Sequence, residues 1–124
     1  MKPDLTKCEL EVLHVMWNEK RPLMRGEIIH LSGENKSWKD NSIHILLNSL
    51  LRKGMIIADG FGKATKGIGR TYRPLISKEE YYAGIIGSEE RLDLAELVAL
   101  LLKQNPESET LQKIQEVLDE LKKQ

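Results

Sequence analysis

Five side chains in residues 38–54 are suited to close contact with another molecule, the polar Asn41, Ser42, His44 and Asn48 and the apolar Ile45. In the same stretch Ile43, Leu46, Leu47 and Leu50 recur at the i, i+3, i+4, i+7 spacing of one buried helix face. The opposite face therefore carries Asn41, Ser42, His44, Ile45, Asn48, Ser49 and Arg52, with Lys53 just beyond it. A face meant only to meet water would carry Glu and Lys, which are better helix formers than Asn and Ser. Short hydrogen-bonding groups let a helix approach another molecule closely. The expected chemistry is contact with base edges in a DNA groove, from the recognition helix of a winged helix-turn-helix. The bland alternative is an ordinary amphipathic helix with a weakly patterned outer face.

On the DNA reading, Asn41 and Ser42 can bond phosphate or bases, and Asn48 can read adenine. The N-terminal part of such a helix points at base edges, which places His44 and Ile45 there too. Lys39, Arg52, Lys53, Lys63, Lys66 and Arg70 would meet phosphates. They would give affinity and salt dependence but no sequence choice.

Charge is distributed accordingly. The 124 residues have zero formal net charge, but the two parts differ. Residues 1–74 hold 13 Lys/Arg against 8 Asp/Glu, net +5; residues 75–124 hold 6 against 11, net −5. Residues 36–73 alone hold 8 against 2, net +6. A polyanion-binding part joined to a part with another task fits this asymmetry.

The elements that must position these residues can be taken in order. Thr6 with Glu9 has the capping-box form and opens a helix over about residues 7–19, with Leu10, Leu13 and Trp17 on one face. Arg21-Pro22 ends it. A second helix is expected from about Met24 to Leu31, poorly capped and weakened by Gly26, with Ser32-Gly33 as its stop. After a polar connection over 33–37, Trp38 reads as a hydrophobic anchor, Asp40 as the cap of the third helix and Gly54 as its end. A strand over 55–60, a Gly- and Lys-rich loop over 61–69 and a returning strand over 70–74 complete a winged helix. The expected core is Leu10, Leu13, Trp17, Ile28, Leu31, Ile43, Leu46, Leu47, Leu50, Ile56 and Tyr72.

Beyond Pro74, Ser77 and Glu80 form another capping box, and Gly84 and Gly87 leave the following stretch open. Leu94, Leu97, Val98, Leu101 and Leu102 belong to a strongly apolar helix. Asn105-Pro106 reads as an N-cap with Pro at the first position of a last helix, lined by Leu111, Ile114, Val117, Leu118 and Leu121. Short helices this rich in leucine cannot bury themselves, so the tail is expected to pair with a second copy; docking back onto residues 1–74 is the alternative. The fold class is thus mainly α with a small β-hairpin. Residues 1–76 form a winged-helix DNA-binding domain and 77–124 a helical dimerisation domain.

These residues also resemble a known family. Leu5-Thr6-Lys7-Cys8-Glu9-Leu10-Glu11-Val12-Leu13 with Trp17 is similar to the first-helix signature of the BlaI/MecI penicillinase-repressor family. So are Glu27-Ile28, Trp38, Leu46-Leu47, Leu50, Lys53-Gly54, Gly69-Arg70, Tyr72, Pro74 and Glu79-Glu80-Tyr81. The resemblance spans residues 5–81 and, more loosely, the tail; CopY-type copper repressors share the DNA-binding half. It implies a homodimeric repressor on a pseudo-palindromic double-stranded DNA operator, released in β-lactam-responsive members when a membrane sensor protease triggers cleavage in the dimer domain. Three positions depart from the family habit: Ser42 and Ile45 stand where Thr is common, and His44 where Arg is common. Losing the Arg fork removes the commonest guanine contact, so the operator sequence is expected to differ. Met24 also stands where a capping Thr or Ser is common. The family's Asn-Phe cleavage bond has no counterpart, because the one Phe, Phe61, follows Gly60. The Cys-rich motif of copper sensors is also missing.

Other function classes fit poorly. His14, His30 and His44 fall on different elements with no nucleophile–base pair, so no enzyme is expected. One cysteine, Cys8, makes no disulfide and no zinc cluster, and neither metal nor cofactor is expected. The longest apolar run, Leu97 to Leu102, is far short of the ~20 residues of a membrane span, and the first residues lack a signal-peptide core, so a cytoplasmic protein is expected. A winged-helix module used only for protein interaction is the remaining rival.

Overall fold

The computed structural model describes residues 4–64 and 67–124. Helix α1 spans Lys7–Glu19. Its start is the expected capping box: the Glu9 N–H donates to the Thr6 hydroxyl (3.2 Å) and the Thr6 N–H to the Glu9 carboxylate (2.8 Å). It closes at Lys20 in the left-handed conformation (φ 58°), just ahead of Pro22.

The next element was not legible in the sequence. Leu23–Met24 forms a two-residue strand, β1, and only then does helix α2 run over Arg25–Ser32. Met24 lacks a capping oxygen, and Glu27 compensates by accepting the Met24 N–H at 3.0 Å. The third helix also starts differently. Asp40 is not its cap: residues Asp40–Ser42 make one 3₁₀ turn, and helix α3 follows over Ile43–Arg52. The Asp40 carboxylate instead pairs with Lys36 at 2.7 Å. Gly54, at φ 73°, closes the helix end; its N–H reaches Leu51 O (3.1 Å) and that of Met55 reaches Leu50 O (3.0 Å).

Strand β2 (Ile56–Ala64) and strand β3 (Gly67–Pro74) form the wing, and the antiparallel order is β1-β3-β2. Most of the expected loop over 61–69 is therefore strand. Glycines weaken a strand locally, but here the ladder carries through Phe61↔Arg70, Gly62↔Gly69 and Lys63↔Ile68. A bulge lies between Ala58 and Phe61, with Gly60 at φ 94°. A side chain strains that conformation, so Gly60→Ala is expected to cost about 1–2 kcal/mol in urea unfolding.

The core gathers Val12, Leu13, Met16 and Trp17 of α1, Leu23, Ile28, Trp38, Ile43, Leu47, Leu50, Met55, Ile56 and Tyr81. Of the expected core, Leu10, Leu46 and Tyr72 lie at its margin, and Leu31 is 41% exposed. Helix α4 (Lys78–Gly87) packs here too. Its Tyr81 ring sits 5.7 Å from that of Trp17, and the Trp17 indole donates to Ile76 O at 2.9 Å.

The chain forms two compact units, Met1–Ser88 and Glu89–Gln124, dividing later than the sequence boundary at 76/77. The second unit contains helix α5 (Leu94–Gln104), capped by Asp93, and helix α6 (Ser108–Lys122). Asn105 is not the cap of α6: its backbone and side-chain amides both turn back to Leu101 O, closing α5, and Glu107 holds the cap position. None of the residues of these two helices is buried. No helix among the described residues is long and apolar enough to cross a membrane.

Candidate nucleic-acid interface

Helix α3 divides as its spacing requires. Ile43, Leu47 and Leu50 are buried, while Asn41, His44, Ile45, Asn48 and Arg52 are exposed and Ser42 is half-buried. Ile45 is 69% exposed, so it contributes surface and no packing. Lys39 is exposed at the entry to the 3₁₀ turn. That entry is held from α1, because the Glu11 carboxylate accepts the Ser37 N–H (2.9 Å) and hydroxyl (2.5 Å). Those two bonds pull the Glu11 carboxyl below its usual range.

Two cations that sequence reasoning did not assign to the site join this surface from α2 and its approach. Arg25 Nη1 lies 3.0 and 3.2 Å from the two ring nitrogens of His44, so guanidinium and imidazole sit side by side. Arg21 pairs with Glu27 at 2.8 Å. A cleft of about 810 Å³ runs from these residues to the wing, lined by Arg21, Arg25, His30, Lys63, Ile68 and Arg70 among others. Arg25 went unassigned because it belongs to α2, outside the stretch where basic residues cluster in the sequence. Only the packing of α2 beside α3 brings it to His44.

On the wing, Lys63 and Arg70 are exposed, and the Arg70 guanidinium lies over the Tyr72 ring at 5.8 Å from its centroid. Lys66 lies outside the described residues.

Lys53 is placed elsewhere. Its ammonium is 2.7 Å from the Glu9 carboxylate and 2.6 Å from Asp4 O. Glu9 is 2% exposed and also accepts from the Ser49 hydroxyl. Burial alone would raise the Glu9 carboxyl, but the hydrogen bonds from Lys53, Ser49 and Thr6, with the Lys53 charge, bring it down to about 2. Lys53 and Ser49 thus tie the end of α3 to the start of α1.

A polar face on a helix packed into the core, a cation at the start of the preceding helix and a basic two-stranded wing together form a surface able to meet a groove and its phosphates. Among solved structures the chain is similar to BlaI of Bacillus licheniformis, a monomeric form in complex with the blaP half-operator. That likeness has 25% identity over 65% of this chain and 92% of that one, with a TM-score of 0.47. It is also similar to Bacillus subtilis PadR in complex with operator DNA (22% identity, 96% of this chain, 71% of that one, TM-score 0.49). A third likeness is to the adhesin competence repressor AdcR of Streptococcus pyogenes (12% identity, 98% and 80%, TM-score 0.45). No match was found among curated proteins. These structural likenesses are loose, and the assignment rests on the family match: the model described as penicillinase repressor matches residues 5–120. The chain belongs to the penicillinase repressor family of DNA-binding transcriptional repressors.

Proposed function

We propose that this protein represses transcription as a homodimer, each first unit reading one half of a pseudo-palindromic operator. The observation that carries the reading is the outer face of α3. Asn41, His44, Ile45, Asn48 and Arg52 are all exposed, and that face continues through Arg25 to Lys63 and Arg70. Asn41, Ser42, His44, Ile45 and Asn48 enter the major groove, while Lys39, Arg52, Lys63, Lys66, Arg70 and Arg25 meet phosphates. Lys53 adds positive charge to the helix end but is committed to Glu9. The work is binding rather than catalysis, it needs no cofactor or metal, and it is done in the cytoplasm.

The dimer reading is supported by the second unit. Leu94, Val98, Leu101, Leu111, Val117, Leu118 and Leu121 are each at least 37% exposed, and Leu97, Leu102 and Ile114 are half-buried. A homodimer would cover them and set two reading helices about one DNA turn (~34 Å) apart. A sensor protease belongs to this picture only by family resemblance. With Gly60 before Phe61, the release signal must act on another bond or without cleavage.

Selection of bound DNA from a random pool tests the reading: a palindromic sequence should be enriched, and enrichment of none overturns it in favour of a protein-interaction module. On the selected operator, Asn48→Ala should cost about 1–3 kcal/mol against the native site and relax the choice of base at one position per half-site. Arg70→Ala should weaken all sequences alike and lower the slope of log affinity against log salt by about 1. An Arg70→Ala protein with unchanged affinity and slope would remove the wing from the interface.

A further inference from the structure

The wing exposes two large apolar side chains that nothing among the described residues of the first unit covers. Phe61 is 74% exposed and Ile68 is 77% exposed, the two highest values among the large exposed hydrophobic residues described. The ladder pairs Phe61 with Arg70 and Lys63 with Ile68. Directly paired residues, and residues two apart, share one face of a hairpin. Phe61, Lys63, Ile68 and Arg70 therefore form a square, with cations on one diagonal and apolar groups on the other. The other face is closed: a side chain at Gly62 or Gly69 would meet Met24 Sδ at 3.1 or 3.3 Å.

A square of this kind matches one partner chemistry. Neither Lys63 nor Arg70 has an ion-pair partner among the described residues, and the nearby acids Asp59 and Glu27 are paired with Arg73 and Arg21. Unneutralised cations flanking exposed Phe and Ile suit a polyanion that also offers apolar edges. The DNA minor groove is such a surface, with deoxyribose and base edges between two phosphate rails. The square is also continuous with the reading face, since Lys63, Ile68 and Arg70 share a cleft with Arg25, which touches His44.

The geometry points to Phe61 and Ile68 as apolar contacts of the wing in the minor groove beside each half-site, pressing on a base step while Lys63 and Arg70 hold the phosphates. Side chains of this type unstack a step and kink the duplex, and the energy of doing so depends on the sequence deformed. The wing would thus read flexibility at positions that α3 does not reach. This rests on the repressor reading proposed above.

The test uses the full chain and its selected operator, labelled at both ends with a fluorophore pair that reports bending. The double variant Phe61→Ala/Ile68→Ala should bind about five- to tenfold more weakly, with the salt slope unchanged and the bend reduced. Lys63→Ala should instead lower the slope by about 1 and leave the bend largely in place. Both residues are exposed, so the thermal midpoint should hold; Phe61→Ser is a second variant with the same expectation. Variants that bind within twofold of the native protein with the same bend overturn the inference and leave the repressor reading standing. So does an affinity loss that appears only as a lower salt slope. A native chain that selects no DNA sequence overturns both.

Discussion

Replacing Glu9 by glutamine is expected to lower the stability of the first unit by about 3 kcal/mol, read as a shift in the urea midpoint at neutral pH. The carboxylate is buried, and three groups converge on it: the Thr6 N–H, the Ser49 hydroxyl and the Lys53 ammonium. Glutamine keeps the shape but removes the charge, leaving the Lys53 ammonium beside a neutral amide. Breaking one partner of a buried pair costs about 3–5 kcal/mol, and Lys53 is partly exposed, which puts the expectation at the lower end. Lys53→Met, which strands the carboxylate, should do at least as much damage. The acid limb gives an independent reading. The Glu9 carboxyl is at about 2 in the folded protein, below its ordinary value of 4.5. A carboxyl lowered by folding stabilises the fold fully above its unfolded value, and that contribution is lost as pH falls through the folded one. The native protein should therefore lose stability between about pH 4.5 and 2, and Glu9→Gln should flatten that slope. A Glu9→Gln protein as stable as the native one, with the same acid limb, would show that the tie between α1 and α3 does not stabilise the fold.

The other large effect is expected in the second unit. Leu101→Glu with Leu118→Glu places a charge on each of α5 and α6 at positions 44% and 45% exposed in the single chain. Changes at exposed positions should leave each helix intact. In the proposed dimer the same positions would be covered, and two charges per chain would become four unpaired charges in an apolar interface. Sedimentation should then show a dimer for the native chain and a monomer for the variant. Operator affinity should fall by about 10²–10⁴, the advantage of binding two half-sites at once, while a single half-site is bound as before. A variant that still sediments as a dimer, or a native chain that is monomeric at micromolar concentration, would assign these leucines to something other than self-association.

Local signals made the helices legible and left the sheet obscure. Thr6 with Glu9, Pro22, and Ser77 with Glu80 act within three or four residues, and the structure uses each as expected. Strand β1 has two residues, and its existence depends on Tyr72 and Thr71 nearly fifty positions away. The glycines of the wing read as loop because a loop is their local preference, yet the partner strand supplies a ladder that overrides it. The expected site divides the same way. The outer face of α3 follows from helical period alone, so Asn41, His44, Ile45 and Asn48 come out exposed. Arg52 and Lys53 are adjacent and chemically alike, and only the approach of α1 separates them: Arg52 stays exposed and Lys53 is drawn to Glu9. Asn105 is a similar case, since a residue that can begin one helix can also end another, and its amide bonds back to Leu101.

The division of α3 into a packed side and an open side has a practical consequence. The groups that anchor the helix, Ile43, Leu47 and Leu50 inside and Ser49 at Glu9, are separate from those that would face DNA. His44 and Ile45 can therefore be exchanged without disturbing what keeps the helix in place. The protein is built like a holder with an interchangeable blade. Libraries confined to positions 41, 44, 45 and 48 should yield mostly folded proteins, and new operator preferences should be obtainable from it without any compensating change in the core.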